Sequence, residues 1–225
     1  MHSILAIDTS TPQGSVGFLS PGAKKSFRSG DEGETYSSRL FRWLEQIEEE
    51  IGHGDGFKNL TAVVVTSGPG TFTGLRVGIA AAKGIALSAN ALLFGFPTLE
   101  VMAKAFSQDR RNCYFQPLIN AGRGEIYTAR FSSTDGKITR ASDDAIIKPE
   151  AISVMNENTP EYLIGPGTSL LTEDIRERLS RNAIIDDSFL NLSDALLSQA
   201  SEKLAAGASG ESDFLEINYI RKATS

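Results

Sequence analysis

Three places in this 225-residue chain combine residue types that could do chemistry. The first is Asp8-Thr9-Ser10-Thr11, closing the run "ILAIDTST". A carboxylate there could hold Mg²⁺ beside a nucleotide, and the turn's hydroxyls and amides could hold phosphate; the plainer reading is an Asp that bonds its own turn. The second is "SGPGTFTGLR", residues 67–76. It is no Walker loop: only three residues separate Gly70 from Gly74, and Leu75-Arg76 stand where Lys-Ser/Thr should follow. It is no dinucleotide fingerprint either, because Thr73 occupies the third glycine's place. A helix starting here would attract an anion, but the preferred reading is that Thr71 or Thr73 caps it. The third is Arg123-Gly124-Glu125, whose ion pair would be a surface bridge worth about 0–1 kcal/mol.

Other chemistries lack their residues. His2 and His53 are the two histidines and Cys113 the one cysteine. No paired-ligand motif exists, so zinc is not expected. No Ser–His–Asp or Cys–His triad can be assembled, and no intrachain disulfide can form. The catalytic and metal site sets are therefore both expected to be empty, although carboxylates could still hold Mg²⁺.

The elements that must position these residues are legible from periodicity. Strands are predicted at 3–8, 15–20 and near 24–29, with a hairpin turn at "TSTPQG". Tyr36, Leu40, Trp43, Leu44, Ile47 and Ile51 recur at helical steps and predict a helix over 34–51, ended by Gly52, Gly54 and Gly56. A strand at 61–66, the glycine loop, a helix at 73–89, a strand at 91–95 and a helix at 98–107 complete the first half. The second half opens on a strand through Ile119-Asn120 that turns back through glycine, as the first does through Ile7-Asp8. "TDGK" marks a hairpin at 134–137. Helices are predicted at 149–156, 170–181 and 192–206, and strands near 161–164 and 183–186. The repeated pattern indicates an α/β protein of two related lobes, 1–104 and 105–225, with the final helix able to pack back on the first lobe.

Two helices carry unusual faces. In 73–89, Gly74, Gly78, Ala82 and Ala86 lie on one ridge. Glycine inside a helix costs about 1 kcal/mol relative to alanine, so Gly78 and Gly84 imply close approach of another backbone, from this chain's sheet or from another subunit. In 34–51, Phe41 and Trp43 cannot both face the Leu40–Leu44–Ile47 stripe, so one of them faces a neighbouring helix or a partner.

Composition narrows the setting. The net charge is −6 and basic residues cluster only as Lys24-Lys25, Arg110-Arg111 and Arg221-Lys222, so autonomous nucleic-acid binding is not expected. The sequence pI is near 5.1. No segment reads as membrane-spanning or as a signal peptide, and together with the single cysteine this points to the cytoplasm.

The stretches "ILAIDTST", "SGPGTFTGLRVGIAAAKGIAL", "GFPTLEVMA" and "AGRGEIY", in this order and spacing, resemble the TsaB family, also called YeaZ. "LIGPG" (163–167) and "INYIR" (217–221) extend the likeness over nearly the whole chain. The resemblance implies a two-lobed actin-like, Hsp70-like fold with duplicated mixed sheets. It implies a non-catalytic subunit of the machinery that makes threonylcarbamoyladenosine in tRNA. Such a subunit docks on the catalytic subunit TsaD, works with the ATPase TsaE, and meets tRNA only through the complex. The docking helices correspond to 34–51 and 73–89, with Tyr36, Leu40, Phe41, Trp43, Leu44 and Ile47 on the first and Gly74, Arg76, Val77, Gly78, Ala81, Ala82 and Ile85 on the second. The same faces would form a homodimer of the chain alone. On this reading Gly78→Leu or Ala82→Trp should spare the monomer and abolish association.

Departures from the family pattern bear on ligands. Ser10 stands where a phosphate turn has glycine, and its side chain would crowd a phosphate. Asn120 replaces an aspartate, Tyr36 and Arg42 replace the usual histidine and proline of the first docking helix, and Asn218 replaces a proline. No cofactor is therefore expected on this chain alone; any ATP or ADP belongs at the partner interface. The competing hypothesis is an actin-like ATPase or phosphotransferase using Asp8 and the Thr9–Thr11 turn. Peptidase activity, a third idea, finds no metal site or triad.

Overall fold

The computed structural model describes residues 2–220 apart from 23, 31–32, 34, 52–55, 108–109, 156–157, 189, 212–214 and 219. The chain divides into two compact units, Met1–Thr98 with Asn191–Asn218, and Leu99–Leu190 with Tyr219–Ser225.

The first unit holds β1 (Ile4–Asp8), β2 (Ser15–Leu19), β3 (Lys25–Ser29), α1 (Tyr36–Ile51), β4 (Ala62–Gly68), α2 (Phe72–Ala89) and β5 (Leu92–Pro97). Its sheet runs β3-β2-β1-β4-β5. β1 to β3 are antiparallel neighbours, whereas β4 and β5 run parallel to β1. Every residue of β1 and β4 is buried, as continuous apolar strands covered on both faces require. One face packs Leu5, Ile7, Val63 and Val65 against Leu40, Trp43, Leu44 and Ile47 of α1 and Ile79, Ala82 and Ala86 of α2. The other face takes the chain's last helix, described below.

The second unit holds α3 (Thr98–Phe106), β6 (Cys113–Gly122), β7 (Glu125–Thr128), β8 (Phe131–Thr134), β9 (Lys137–Arg140), β10 (Ala145–Ile147), β11 (Glu161–Ile164), α4 (Glu173–Leu179) and β12 (Ile184–Asp186). The last helix, α5 (Leu192–Ala205), returns to the first unit and packs on β1, β2 and β4.

β6 pairs with β8 through Cys113–Phe115 and with β7 through Leu118–Gly122. Leu118↔Thr128 and Phe115↔Phe131 share one register, so β7 and β8 are a single strand interrupted at Ala129-Arg130. β9 and β10 flank it, and β11 and β12 run parallel to β6. The second sheet therefore repeats the first sheet's order, and the fold is a duplicated α/β arrangement with mixed sheets. Its own core gathers Leu118, Ile126, Ile152, Leu163, Leu171, Ile175 and Leu179.

Two predicted helices are shorter than periodicity suggests. Of 149–156, a 3₁₀ turn at Pro149–Ala151 forms. The carbonyls of Glu150 and Ile152 accept from Arg178, and that of Ser153 accepts from Arg130, so they are taken from helical bonding. Of 170–181, the helix begins only at Glu173, because Thr172 is extended and Arg176 bonds the carbonyls of Thr168 and Leu171. β10 was not foreseen. Gly52 and Gly54, expected to end α1, lie outside the described residues, and Gly56 opens a 3₁₀ turn.

Candidate functional site: a covered turn beneath two helices

Asp8 ends β1, where the backbone turns away from the sheet. Its Oδ1 accepts from the Ser10 amide at 3.0 Å, the Ser10 hydroxyl at 2.6 Å and the Thr66 hydroxyl at 2.9 Å. Asp8, Thr9, Ser10 and Thr11 are all buried. Burial pushes the Asp8 carboxyl above the usual carboxylate range, while the bonds from Ser10 and Thr66 and the charge of Arg39 pull the other way. The carboxylate thus holds its own turn.

The glycine loop lies directly on that turn. A Cβ on Gly70 would sit 2.9 Å from the Ser10 Cα, and the Thr71 amide donates to the Ser10 carbonyl at 2.8 Å. Thr71 is the N-cap residue of α2, yet its side chain makes no capping bond, and this corrects the expectation of a Thr cap: the loop is fastened through its backbone to Ser10. The Thr9 hydroxyl donates to the Gly74 carbonyl at 2.7 Å. A Cβ on Gly74 would overlap the Thr9 carbonyl oxygen, and one on Gly78 would overlap the Thr9 hydroxyl. Thr9 therefore fills a notch cut by two glycines, which offsets the cost of glycine within α2.

From the other side, α1 closes the turn. Arg39 is buried between the rings of Tyr36 and Trp43, at 5.3 and 5.2 Å, and its Nη2 donates to the Pro12 carbonyl at 2.6 Å. The C-terminal segment backs the loop: the Asn218 amide donates to the Ser67 carbonyl at 2.8 Å, and a Cβ on Gly68 would meet the Asn218 carbonyl at 2.8 Å. Arg39, Thr66 and Asn218 were not singled out for these roles by sequence reasoning. Each acts through a contact across more than 25 positions, which periodicity does not encode.

The residues expected to meet a partner fall into two groups. Leu40, Trp43, Leu44, Ile47, Gly74, Gly78 and Ala82 are buried within the first unit. The notion that Gly78→Leu or Ala82→Trp would spare the monomer is therefore corrected, since both side chains would enter an occupied core. Phe41 and Arg76 are exposed, and Tyr36, Val77, Ala81 and Ile85 are half-buried. Of the two competing aromatics, Trp43 is the core residue and Phe41, 55% exposed, is the outward one. Phe72, 56% exposed, stacks under the Arg76 guanidinium at 3.6 Å, and Leu87 is 86% exposed. Neither Phe72 nor Leu87 was named from the sequence, although Phe72 at the helix start broke no rule that would have flagged it.

Among the described residues, no group of three or more His, Cys, Asp or Glu side chains could hold a metal ion. None of the described helices is long and apolar enough to cross a membrane.

Comparison with known proteins places this architecture. Residues 33–207 match the family model described as TsaD, tRNA N6-adenosine threonylcarbamoyltransferase. The tRNA threonylcarbamoyladenosine biosynthesis protein TsaB of Haemophilus influenzae is 30% identical over 190 residues, covering 81% of this chain and 79% of that protein. The Escherichia coli protein of the same name is 30% identical over 150 residues, covering 66% of this chain; the match spans 64% of that protein's length, less than two thirds. The structure of YeaZ from Pseudomonas aeruginosa superimposes with a TM-score of 0.80 at 24% identity, over 98% of this chain and 100% of that one, and shares the fold.

Proposed function

Because the chain belongs to the family of the matching threonylcarbamoyltransferase model and, within it, with the TsaB (YeaZ) proteins, we propose that it serves tRNA threonylcarbamoyladenosine synthesis as a non-catalytic scaffold. It docks on the TsaD catalytic subunit through the outer faces of α1 and α2, works alongside the ATPase TsaE, and pairs with a second copy of itself through the same faces when alone. Any nucleotide belongs at the partner interface.

One observation carries this reading. Of the six large hydrophobic side chains exposed among the described residues, Phe41, Phe72 and Leu87 stand on these two helices. A few well-buried side chains carry most of the energy of a protein interface, and large apolar side chains left exposed together on two helices are suited to that part. Gly84 adds to it: a Cβ there would meet nothing within 4 Å, so its helical cost is offset by no packing in this chain. The competing reading, phosphotransfer at Asp8, needs an open turn. What supports the scaffold instead is that Gly70 presses on Ser10, Gly74 and Gly78 press on Thr9, and Asp8 is buried with its carboxylate holding Ser10.

The test is light-scattering mass analysis of the protein alone and with TsaD from the same organism, using wild type, Phe41→Asp and Phe72→Asp. Both variants change exposed positions, so the monomer should stay folded. A defined heterocomplex with wild type, weakened at least about tenfold in either variant, is expected. A wild-type chain that ignores TsaD would remove the docking assignment, and ATP hydrolysis by the isolated chain, lost in Asp8→Asn, would favour the enzyme.

A further inference from the structure

We infer that residues 215–218 are a brace that sets the start of the docking helix α2, with Leu215 as the positioning residue; this rests on the function proposed above. Gly95 lies inside β5, where glycine weakens a strand and marks a close approach. It pairs with Val65, so it faces the side of the sheet that α1 and α2 cover. A Cβ on Gly95 would overlap the Leu215 side chain. Leu215 is buried there and joins the core that holds Val65, Ile79 and Leu93. The side chain missing from β5 is thus a slot, and Leu215 fills it. Ile217, half-buried, packs against the same core.

Where the segment goes next separates a brace from a plain cover. β5 ends the sheet, and an edge strand needs covering. The Glu211 amide serves that need, donating to the Leu93 carbonyl at 2.7 Å. Past Leu215 the chain leaves β5. The Asn218 amide donates to the carbonyl of Ser67, in β4, at 2.8 Å. The next residue of β4, Gly68, has φ of +111°, and a Cβ there would lie 2.8 Å from the Asn218 carbonyl oxygen and 3.3 Å from Leu75 Cδ1. Leu75 stands in the first turn of α2. The end of the segment and the start of the helix therefore meet over one bare glycine. The far end of the same loop is fastened by the Thr71 amide to the Ser10 carbonyl. The loop that launches α2 is thus held from two sides, by the turn after β1 and by residues 215–218. A docking face is only as well placed as the contacts behind it, and Phe72 projects from this first turn.

The test compares the full wild-type chain with Leu215→Ser, Leu215→Met and Gly95→Val. Gly95→Val fills the slot from the sheet side with a residue that suits a strand and leaves residues 215–218 unchanged, so it carries the test if Leu215→Ser fails to fold. Hydrogen exchange of the isolated chain is read at the Thr71 and Leu75 amides, which donate to the Ser10 and Thr71 carbonyls, against the amides of β1. Leu215→Ser and Gly95→Val should each speed exchange at those two amides at least about tenfold, with a smaller change in β1, and weaken binding to TsaD about fivefold or more. Leu215→Met still fills the slot and should match wild type in both. The double variant of Leu215→Ser with Gly95→Val should be no worse than either single one, because both act through one slot. If the variants lower only the denaturation midpoint, with exchange at Thr71 and Leu75 and affinity for TsaD as in wild type, residues 215–218 are an edge cover and the inference is wrong. Faster exchange with unchanged affinity also overturns it, because the segment would then not serve docking. If wild type ignores TsaD, the proposed function falls and the docking half of this inference with it, while the exchange pattern by itself still decides whether residues 215–218 hold the start of α2.

Discussion

The chain contains the sequence Gly-Pro-Gly-Thr twice, at 68–71 and at 165–168, each time directly after the fourth strand of a sheet with the same strand order. Both loops press a bare glycine onto backbone, the first onto the turn that follows β1 and the second onto β6 itself. Gly70 sits against Ser10, and a Cβ on Gly167 would lie 2.6 Å from the Leu118 carbonyl carbon. After that they diverge. Thr71 leads into the 18-residue α2, whose inner ridge clasps Thr9 and whose outer face exposes Phe72 and Leu87. Thr168 turns back, its hydroxyl donating to the Gly165 carbonyl at 2.7 Å, and the chain continues into a short 3₁₀ turn and the seven-residue α4. The first-strand turns differ in the opposite sense. Asp8 and Asn120 each accept from the amide two residues on, but Asp8 is buried and Asn120 is exposed. One frame has thus been finished in two ways: the first unit buries Asp8 and Ser10 beneath a long helix that exposes Phe72 and Leu87, while the second follows its loop with a short helix and leaves Asn120 exposed.

The largest effects should come from filling the notch in α2. Gly74→Val and Gly78→Val force side chains into Thr9 and should each cost about 4 kcal/mol or more, read as denaturation midpoints. Gly167→Val should be comparably damaging, because backbone rather than a flexible side chain lies in its way. If Gly167→Val unfolds at the wild-type midpoint, the two loops are not equivalent in packing. The turns should rank differently. Asp8→Ala strands the Ser10 and Thr66 donors in a buried site and should cost about 2–4 kcal/mol, whereas exposed Asn120→Ala should cost at most about 1 kcal/mol. Equal losses at the two positions would show that the first turn is not closed.

How much of this was legible in the sequence divides along the same line. The hairpins, the parallel strands and the amphipathic α1 follow from alternation and helical spacing, which are local. The duplication was visible in Ile7-Asp8 and Ile119-Asn120, but the matching glycine loops went unread because the helices after them differ in length. The small ridge 74/78/82/86 was seen, yet not its direction: a ridge of glycine and alanine suits a sheet or a partner equally well, and only Thr9 decides. The Phe41–Trp43 conflict was likewise posed by spacing and resolved by packing, because burial of Trp43 depends not only on Arg39 one turn away but on Gly14 from a distant stretch.

Acidity should separate two carboxyls, one in each unit, in sign. The folded Asp8 carboxyl is raised, chiefly by burial, so its contribution to stability is greatest below its ordinary value and is lost as pH climbs through the folded one. Asp187 is lowered, first by its hydrogen bond from Arg176, so its contribution is present above its ordinary value and is lost as pH falls through the folded one. Asp8→Asn preserves the acceptor for Ser10 and Thr66, and its stability relative to wild type should grow with rising pH above 4, roughly the ordinary Asp value. For Asp187→Asn the relative stability should shrink as pH rises through the acid range. Urea titrations at several pH values read both, and a wild type that gains on Asp8→Asn with rising pH would mean Asp8 is held as a paired anion.

The smallest effect is the most discriminating for the displayed helix. Gly84 is exposed in the interior of α2, and no atom of the chain's own packing lies where its Cβ would go. Alanine there should stabilise the isolated chain by about 0.5–1 kcal/mol through helix propensity alone. Glycines at 74 and 78 are required by Thr9, so a third one without any internal neighbour fits close approach from outside. Gly84→Ala should therefore raise the denaturation midpoint while weakening association with TsaD a few-fold, measured by titration of the labelled chain. A variant that gains stability and binds as well as wild type would leave Phe41 and Phe72 as the anchors and move the crossing point away from Gly84, because one methyl group is felt wherever two helix backbones are in contact.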